Sequence, residues 1–253
     1  MISIEELMNI AKLKGITNRG NAERDYLLEL VLLSISRNIK DELVFKGGTC
    51  MSKFYKLDRF SEDIDFTAVK EIDMSMLLKK IVSDLAAFGI EAEVKNEKHS
   101  FNTIMSLIRM KGPLYKGTPQ SAASVRIDIN LKSSIDLSPA TLKFASLYPD
   151  VPSFSFRVMQ EKEIMAEKAR AILTRVKARD VYDIRFLLEK GVEFDKSLVA
   201  KKLEYYNVKW DKKEFENKLK ANEKAWQTDL LPLVPNVPDF KETLKIIMKH
   251  APV

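Results

Sequence analysis

The chain has 253 residues, 45% apolar and 31% charged, with a formal net charge of +6. That length can bury a proper core in one large domain or two small ones, and the balance is that of a soluble globular protein. A single cysteine, Cys50, excludes an internal disulfide framework and points to a reducing compartment.

The start carries Glu5 and Glu6 where a secretory leader has a basic and then an apolar stretch. No apolar run approaches the roughly 20 residues a membrane helix requires. A cytoplasmic location with no membrane association is expected.

Ile4–Lys14 and Ala22–Lys40 read as two amphipathic helices separated around Gly15–Asn21, the second with Leu27, Leu30, Val31, Ser34 and Ile35 at helical spacing. They are expected to cap a sheet. Leu43–Phe45 is a short apolar run that stops at Gly47-Gly48, and Thr49–Tyr55, without Gly or Pro, can start a helix. Strand, glycine turn and helix in that order make a phosphate cradle, because bare glycine backbone admits a close ligand and a helix start favours an anion.

Asp63-Ile64-Asp65-Phe66 alternates, so as a strand it places both carboxylates on one face and the apolar pair on the other. Adjacent acids repel, and a divalent cation between them relieves the repulsion.

Asp73–Phe88 reads as a helix stopped by Gly89, and Ile90–Val94 as a strand. A polar turn, Lys95–Ser100, leads to a longer candidate strand, Phe101–Met110, ended by Lys111-Gly112-Pro113; Gly117–Ala122 reads as a loop. In Ser124–Leu131, Val125, Ile127, Ile129 and Leu131 share one face and Arg126, Asp128 and Asn130 the other. Pro139–Pro152 is a connection with a domain boundary near it, and Phe154–Val158 a last short strand. From Gln160 onward the chain reads as helical, except Leu231–Pro238, where three prolines prevent it.

The helical half is locally basic. Lys196–Lys224 holds nine lysines against five acids, with Tyr205, Tyr206 and Trp210 among them, which suits a polyanion with unpaired bases as well as a solvated helix surface. On a continuous helix, at about 100° per residue, Arg175 and Arg179 fall about 20° on either side of Lys168, a cationic stripe fit for triphosphate or an RNA backbone. The same projection puts Asp180 and Asp183 in the middle of the apolar face. Either the helix breaks near Arg179, or arginines, backbone N–H groups or a ligand hold these acids. His99 and His250 lie apart, so no histidine-based centre is expected, and Cys50 reads as a packed residue.

The 22-residue stretch Phe45–Phe66, in which Lys-Gly-Gly-Thr and Lys53 are followed by Arg59-Phe60-Ser61-Glu62-Asp63-Ile64-Asp65-Phe66, resembles the DNA polymerase β-type nucleotidyltransferase superfamily. Within it the wording is similar to the AbiEii/MenT-like toxins of type IV toxin–antitoxin and abortive-infection systems. Glu167–Ile184, a lysine followed by Arg-x-x-x-Arg-Asp-x-x-Asp, resembles a second segment of those toxins. The likeness runs from about Leu43 to Leu188.

The resemblance implies an α/β (α+β) fold: a mixed nucleotidyltransferase sheet with flanking helices over residues 1–158, a helical lobe over 159–253, and the active cleft between them. It implies Mg²⁺-dependent transfer of a nucleoside monophosphate from an NTP, with one or two ions. Asp63 and Asp65 would bind metal, and Asp128 would bind the second ion or act as base. Gly47, Gly48, Thr49, Lys53 and Ser61 would hold the nucleotide, together with Lys168, counted among the catalytic residues, and Arg175, Arg179 and Asp180. Ser61 is also a candidate phosphorylation point, as in some relatives.

The partners implied are the NTP, a cognate antitoxin and, as the favoured acceptor, the 3′ end of tRNA. A protein or small-molecule acceptor, or a non-catalytic nucleotide- or RNA-binding module, remains open at this point.

Overall fold

A computed structural model describes residues 1–100 and 102–252, which fall into two compact units. The first comprises residues 1–54, 60–134 and 139–158; the second comprises 55–59, 135–138 and 159–253. Two short segments ahead of residue 158 thus cluster with the helical unit.

The first unit is built on a seven-stranded sheet. Its helices and strands run α1 (Ile4–Leu13), α2 (Arg19–Asn38), β1 (Leu43–Lys46), α3 (Gly47–Phe54), β2 (Asp63–Ala68), α4 (Met74–Ala87), β3 (Glu91–Ser100), β4 (Thr103–Lys111), β5 (Ala123–Asn130), β6 (Ala140–Phe144) and β7 (Phe154–Val158). The strand order is β3-β4-β5-β2-β1-β7-β6. β2 lies parallel to β5 and β1 parallel to β7, while the other pairs are antiparallel.

Local chemistry sets the helix starts. Ser3 and Glu6 form a reciprocal capping box on α1, and Asn18 and Asp73 cap α2 and α4, each supplying an oxygen to an otherwise unpaired N–H. Ile64, Phe66, Val125, Ile127 and Ile129 are all fully buried, and Phe45 stacks against Phe66 with ring centroids 5.0 Å apart. Phe54, Phe144, Phe154 and Phe156 continue that aromatic cluster.

Two strand assignments differ from the sequence reading. Lys95–Ser100, read as a turn, continues β3, which pairs with β4 as far as Ser100↔Thr103 and absorbs an irregularity between Val94 and Asn96. This is an exposed edge strand, so neither face needs apolar residues and no alternation marks it. Phe101 lies outside the described residues. The connection from Pro139 holds β6, where Phe144 stands opposite Phe154; the strand lies between Pro139 and Pro152, which read as a connection, and pairing with β7 stabilises it.

The second unit is helical: α5 (Glu161–Thr174), α6 (Ala178–Glu189), α7 (Lys196–Glu204), α8 (Lys212–Lys220), the short α9 (Trp226–Leu230) and α10 (Phe240–His250). Lys202 is 2% exposed and is held by Glu163 at 2.5 Å and Asp136 at 2.9 Å. The proline-bearing stretch after α9 is non-helical, and Trp226 Nε1 donates to the Pro238 carbonyl.

Candidate active site

Position 47 requires glycine for two reasons. Its φ is +76°, in the left-handed region that L side chains avoid, and a Cβ there would overlap the Asp65 carboxylate. The bare backbone lets β1 turn directly into α3 while Asp65 lies against the turn. Thr49, fully buried in the first turn of α3, donates its hydroxyl to the Asp63 carbonyl and lies 2.9 Å from Ser61 Oγ. Its side chain therefore fixes the start of β2 and is engaged there, which leaves only its backbone for the phosphate role anticipated from the sequence.

Strand register assembles the carboxylates. In the parallel β2–β5 pair, Asp65 stands beside Asp128 and Asp63 beside Arg126. Paired residues point to the same side of a sheet, and alternation sends Ile64, Phe66, Ile127 and Ile129 into the core. Asp63, Asp65, Asp128 and Arg126 consequently share the opposite face. Arg126 Nη2 donates to Asp63 Oδ2 at 2.5 Å. Its Nε is 2.9 Å from Asp128 Oδ2, at an angle that makes a charge contact without a hydrogen bond.

Burial pushes the Asp128 carboxyl above its ordinary value, against the pull of the Arg126 guanidinium and with the help of the Asp63 charge. Asp65 also stands opposite Lys46 of β1 in the antiparallel β1–β2 pair, so the acids of this face have a cation on either side, Arg126 from β5 and Lys46 from β1.

The donors are all carboxylate oxygens, the ligand type that hard divalent cations such as Mg²⁺ take. Among the described residues no group of three acidic, histidine or cysteine side chains is arranged to hold a metal ion. The guanidinium stands between Asp63 and Asp128 instead. In chemistry the face fits Mg²⁺, and Arg126 is the group that would have to give way. Arg126 was readable by alternation as a neighbour of Asp128, but its bond to Asp63 depends on the pairing of two distant strands.

Lys53 does not join this face. Its ammonium is 2.6 Å from Asp25 and 2.5 Å from Glu29, within a buried cluster that also holds Lys14 and Tyr148. Its assignment to the triphosphate is corrected accordingly: two carboxylates of α2 already neutralise it, and nothing local in the sequence marks that pairing.

The helical unit gathers the second set of residues. A continuous helix would line up Lys168, Arg175 and Arg179, but α5 stops at Thr174, Arg175 and Lys177 adopt extended backbone (φ −152° and −147°), and α6 begins at Ala178. The break brings Asp180 back onto its cations. Lys168 Nζ reaches Asp180 at 2.8 Å and Asp183 at 2.6 Å, and Arg175 Nε donates to Asp180 at 2.8 Å. Arg59 forms two hydrogen bonds to Asp183. Burial opposes the charge of both acids, but Lys168 with Arg175, and Arg59 with Lys168, outweigh it and hold the two carboxyls below the usual range.

Both readings of Asp180 and Asp183 thus apply, a helix break and cationic partners. Arg179 is half-buried, and among the described residues no acid pairs with it. Of the aromatics, Trp210 packs on Phe215, while Tyr206, 42% exposed, lies under the Arg170 guanidinium at 4.4 Å.

A sequence model of the nucleotidyl transferase AbiEii toxins of type IV toxin–antitoxin systems matches residues 32–246. Among solved structures, the nucleotidyltransferase toxin MenT4 from Mycobacterium tuberculosis superposes with a TM-score of 0.70 at 20% identity, over 99% of this chain and 88% of MenT4. JHP933 from Helicobacter pylori gives 0.60 at 19% identity, over 91% of this chain and 89% of its own. A further H. pylori protein described as a nucleotidyltransferase gives 0.59 at 20%, over 90% and 91%. A search of curated proteins returns no match. Among the described residues no helix is long and apolar enough to cross a membrane.

Proposed function

The chain belongs to the AbiEii nucleotidyltransferase toxins of type IV toxin–antitoxin systems, and from that premise we propose that it transfers a nucleoside monophosphate from an Mg²⁺-bound NTP to the 3′ end of tRNA, blocking translation. Membership makes it a nucleotidyltransferase with an NTP substrate and an antitoxin partner. The observation that supports metal-dependent transfer is the register of β2 on β5, which sets Asp65 beside Asp128 on the face that bears Asp63, while Gly47 keeps the space against Asp65 clear; the tRNA acceptor rests on the family resemblance.

Asp63 and Asp65 would hold Mg²⁺, with Asp128 as a third ligand or as base. When bound, the ion neutralises phosphate charge and supports in-line displacement. The acceptor hydroxyl oxygen attacks the α-phosphorus, the bond to the bridging oxygen of the β-phosphate breaks, and pyrophosphate leaves with the electron pair. Asp128 takes the hydroxyl proton; its raised pKa makes it a better proton acceptor than an ordinary aspartate. The backbone of Gly47, Gly48 and Thr49 opens α3 towards the phosphates. Arg170, Arg179 and the exposed ring of Tyr206 offer charge and a stacking surface to RNA.

The test is incubation with each labelled NTP, Mg²⁺ and total tRNA. Label is expected in the tRNA fraction with the wild-type chain and absent with Asp63→Ala. Label entering protein or a small molecule would replace the acceptor. NTP binding without any transfer would replace the reaction.

A further inference from the structure

The carboxylate face holds an arginine that neither the family match nor the sequence-derived ligand set uses. Arg126 contacts Asp63 Oδ2 and Asp128 Oδ2, which are oxygens of the residues assigned to the metal. An oxygen lone pair directed at a guanidinium is not available to a divalent ion, and a fixed positive charge beside it repels one.

The attachment is also of a releasable kind. The Arg126 side chain is 41% exposed and makes one well-formed hydrogen bond to Asp63, the Nε contact to Asp128 having poor geometry. The guanidinium is the more exposed partner, so it can swing into water, while Asp63 and Asp128, 20% and 24% exposed, take the incoming cation in its place. Arg59 is the contrasting case, 2% exposed and bound twice to one buried carboxylate. The apolar side chains that register places next to this group, Leu107 opposite Arg126 and Met105 opposite Asp128 in β4, supply no alternative anion.

We propose that Arg126 is a built-in counter-cation that competes with the divalent metal for Asp63 and Asp128 and, once displaced, turns its guanidinium to the nucleotide phosphates. This rests on the metal-dependent reading above. Exchange of one cation for another leaves Asp63 and Asp128 with a counter-charge throughout, and a planar guanidinium suits phosphate oxygens. By linkage, whatever the metal does to Arg126, Arg126 does to the metal.

The experiment is titration of Mn²⁺, followed by its paramagnetic resonance signal without nucleotide, on the wild-type chain, Arg126→Ala, Arg126→Lys and Asp63→Ala. Arg126→Ala should bind Mn²⁺ at least about fivefold more tightly than wild type, the lower end of typical coupling between sites. Arg126→Lys should fall between them, Asp63→Ala should lose the site, and Arg126→Ala should raise the KM for NTP. Unchanged or weaker Mn²⁺ binding in a folded Arg126→Ala chain would overturn the proposal while leaving the metal reading standing. Tight binding that survives Asp63→Ala overturns it as well, because the ion is then elsewhere. If Arg126→Ala does not fold, Arg126→Lys decides by the same criterion. Absence of Mn²⁺ binding in every variant removes both the proposal and the reading it rests on.

Discussion

Arg59 and Asp183, 124 positions apart in sequence, meet through two parallel hydrogen bonds, Nε to Oδ1 at 2.6 Å and Nη2 to Oδ2 at 2.8 Å, with neither side chain more than 2% exposed. Lys168 supplies a second cation to the same carboxylate. The pair holds residues 55–59 in the core of the helical unit to which they belong.

Removing one member of such a group strands the others. Asp183→Asn is expected to destabilise the chain by about 3–5 kcal/mol, because Arg59 and Lys168 lose a buried counter-charge. Arg175→Ala, at a side chain 49% exposed, should cost less than Asp183→Asn, because Lys168 still faces the buried Asp180. Urea unfolding of the two variants measures the difference; equal midpoints would show that burial of the Asp183 pair is not what anchors this segment.

Gly47→Ala combines an unfavourable φ with a collision against Asp65. The strain is on the order of 1–3 kcal/mol, and if Asp65 yields it leaves its place beside Asp128. Nucleotide transfer should therefore fall by more than stability does. Steady-state kinetics together with thermal unfolding separate the two effects, and a fully active Gly47→Ala enzyme would contradict the crowding.

Burial works against the charge of Asp25, but the ammoniums of Lys53 and Lys14 outweigh it and bring its carboxyl down to about 2. The folded pKa lies below the unfolded value near 3.9, so this group's stabilisation is fully present above about pH 4 and is lost as pH falls through about 2. It amounts to about 2–3 kcal/mol. Lys53→Met should lower stability at neutral pH and flatten its dependence on pH in this acid range. Acid titration of unfolding free energy for both proteins checks this, and parallel curves would rule out the coupling.

Asp128→Asn removes a proton acceptor while keeping its shape. A loss of about 10²–10⁴-fold in kcat, with little change in the KM for NTP, is expected if Asp128 serves as the base. A large loss of Mn²⁺ affinity in the same variant would assign it to the metal instead.

Much of the site was legible locally. The glycine pair after a short apolar run, the Asp-x-Asp alternation and the Val125–Ile129 alternation each depend on steric and periodic rules that act within a few residues. They anticipate the turn into α3 and which side chains leave the core. The outer half of β3 escaped because an edge strand is stabilised by its partner and polar side chains on both faces erase the periodic signal. β6, where Ala140, Leu142 and Phe144 do alternate with Thr141 and Lys143, was hidden by the prolines on either side that read as a connection.

The amino-acid order alone therefore determined the element types around the glycine turn, the facing of each carboxylate relative to its own strand, and the conflict that Asp180 and Asp183 would create on an apolar helix face. Only the tertiary structure decided how charges pair. Arg126 with Asp63, Lys53 with Asp25 and Glu29, and Arg59 with Asp183 each join residues from separate elements. The reason is physical: backbone sterics and alternation act over a few bonds, whereas the partner of an ion is whichever opposite charge packing brings within about 3–4 Å, and strand register and helix docking choose it.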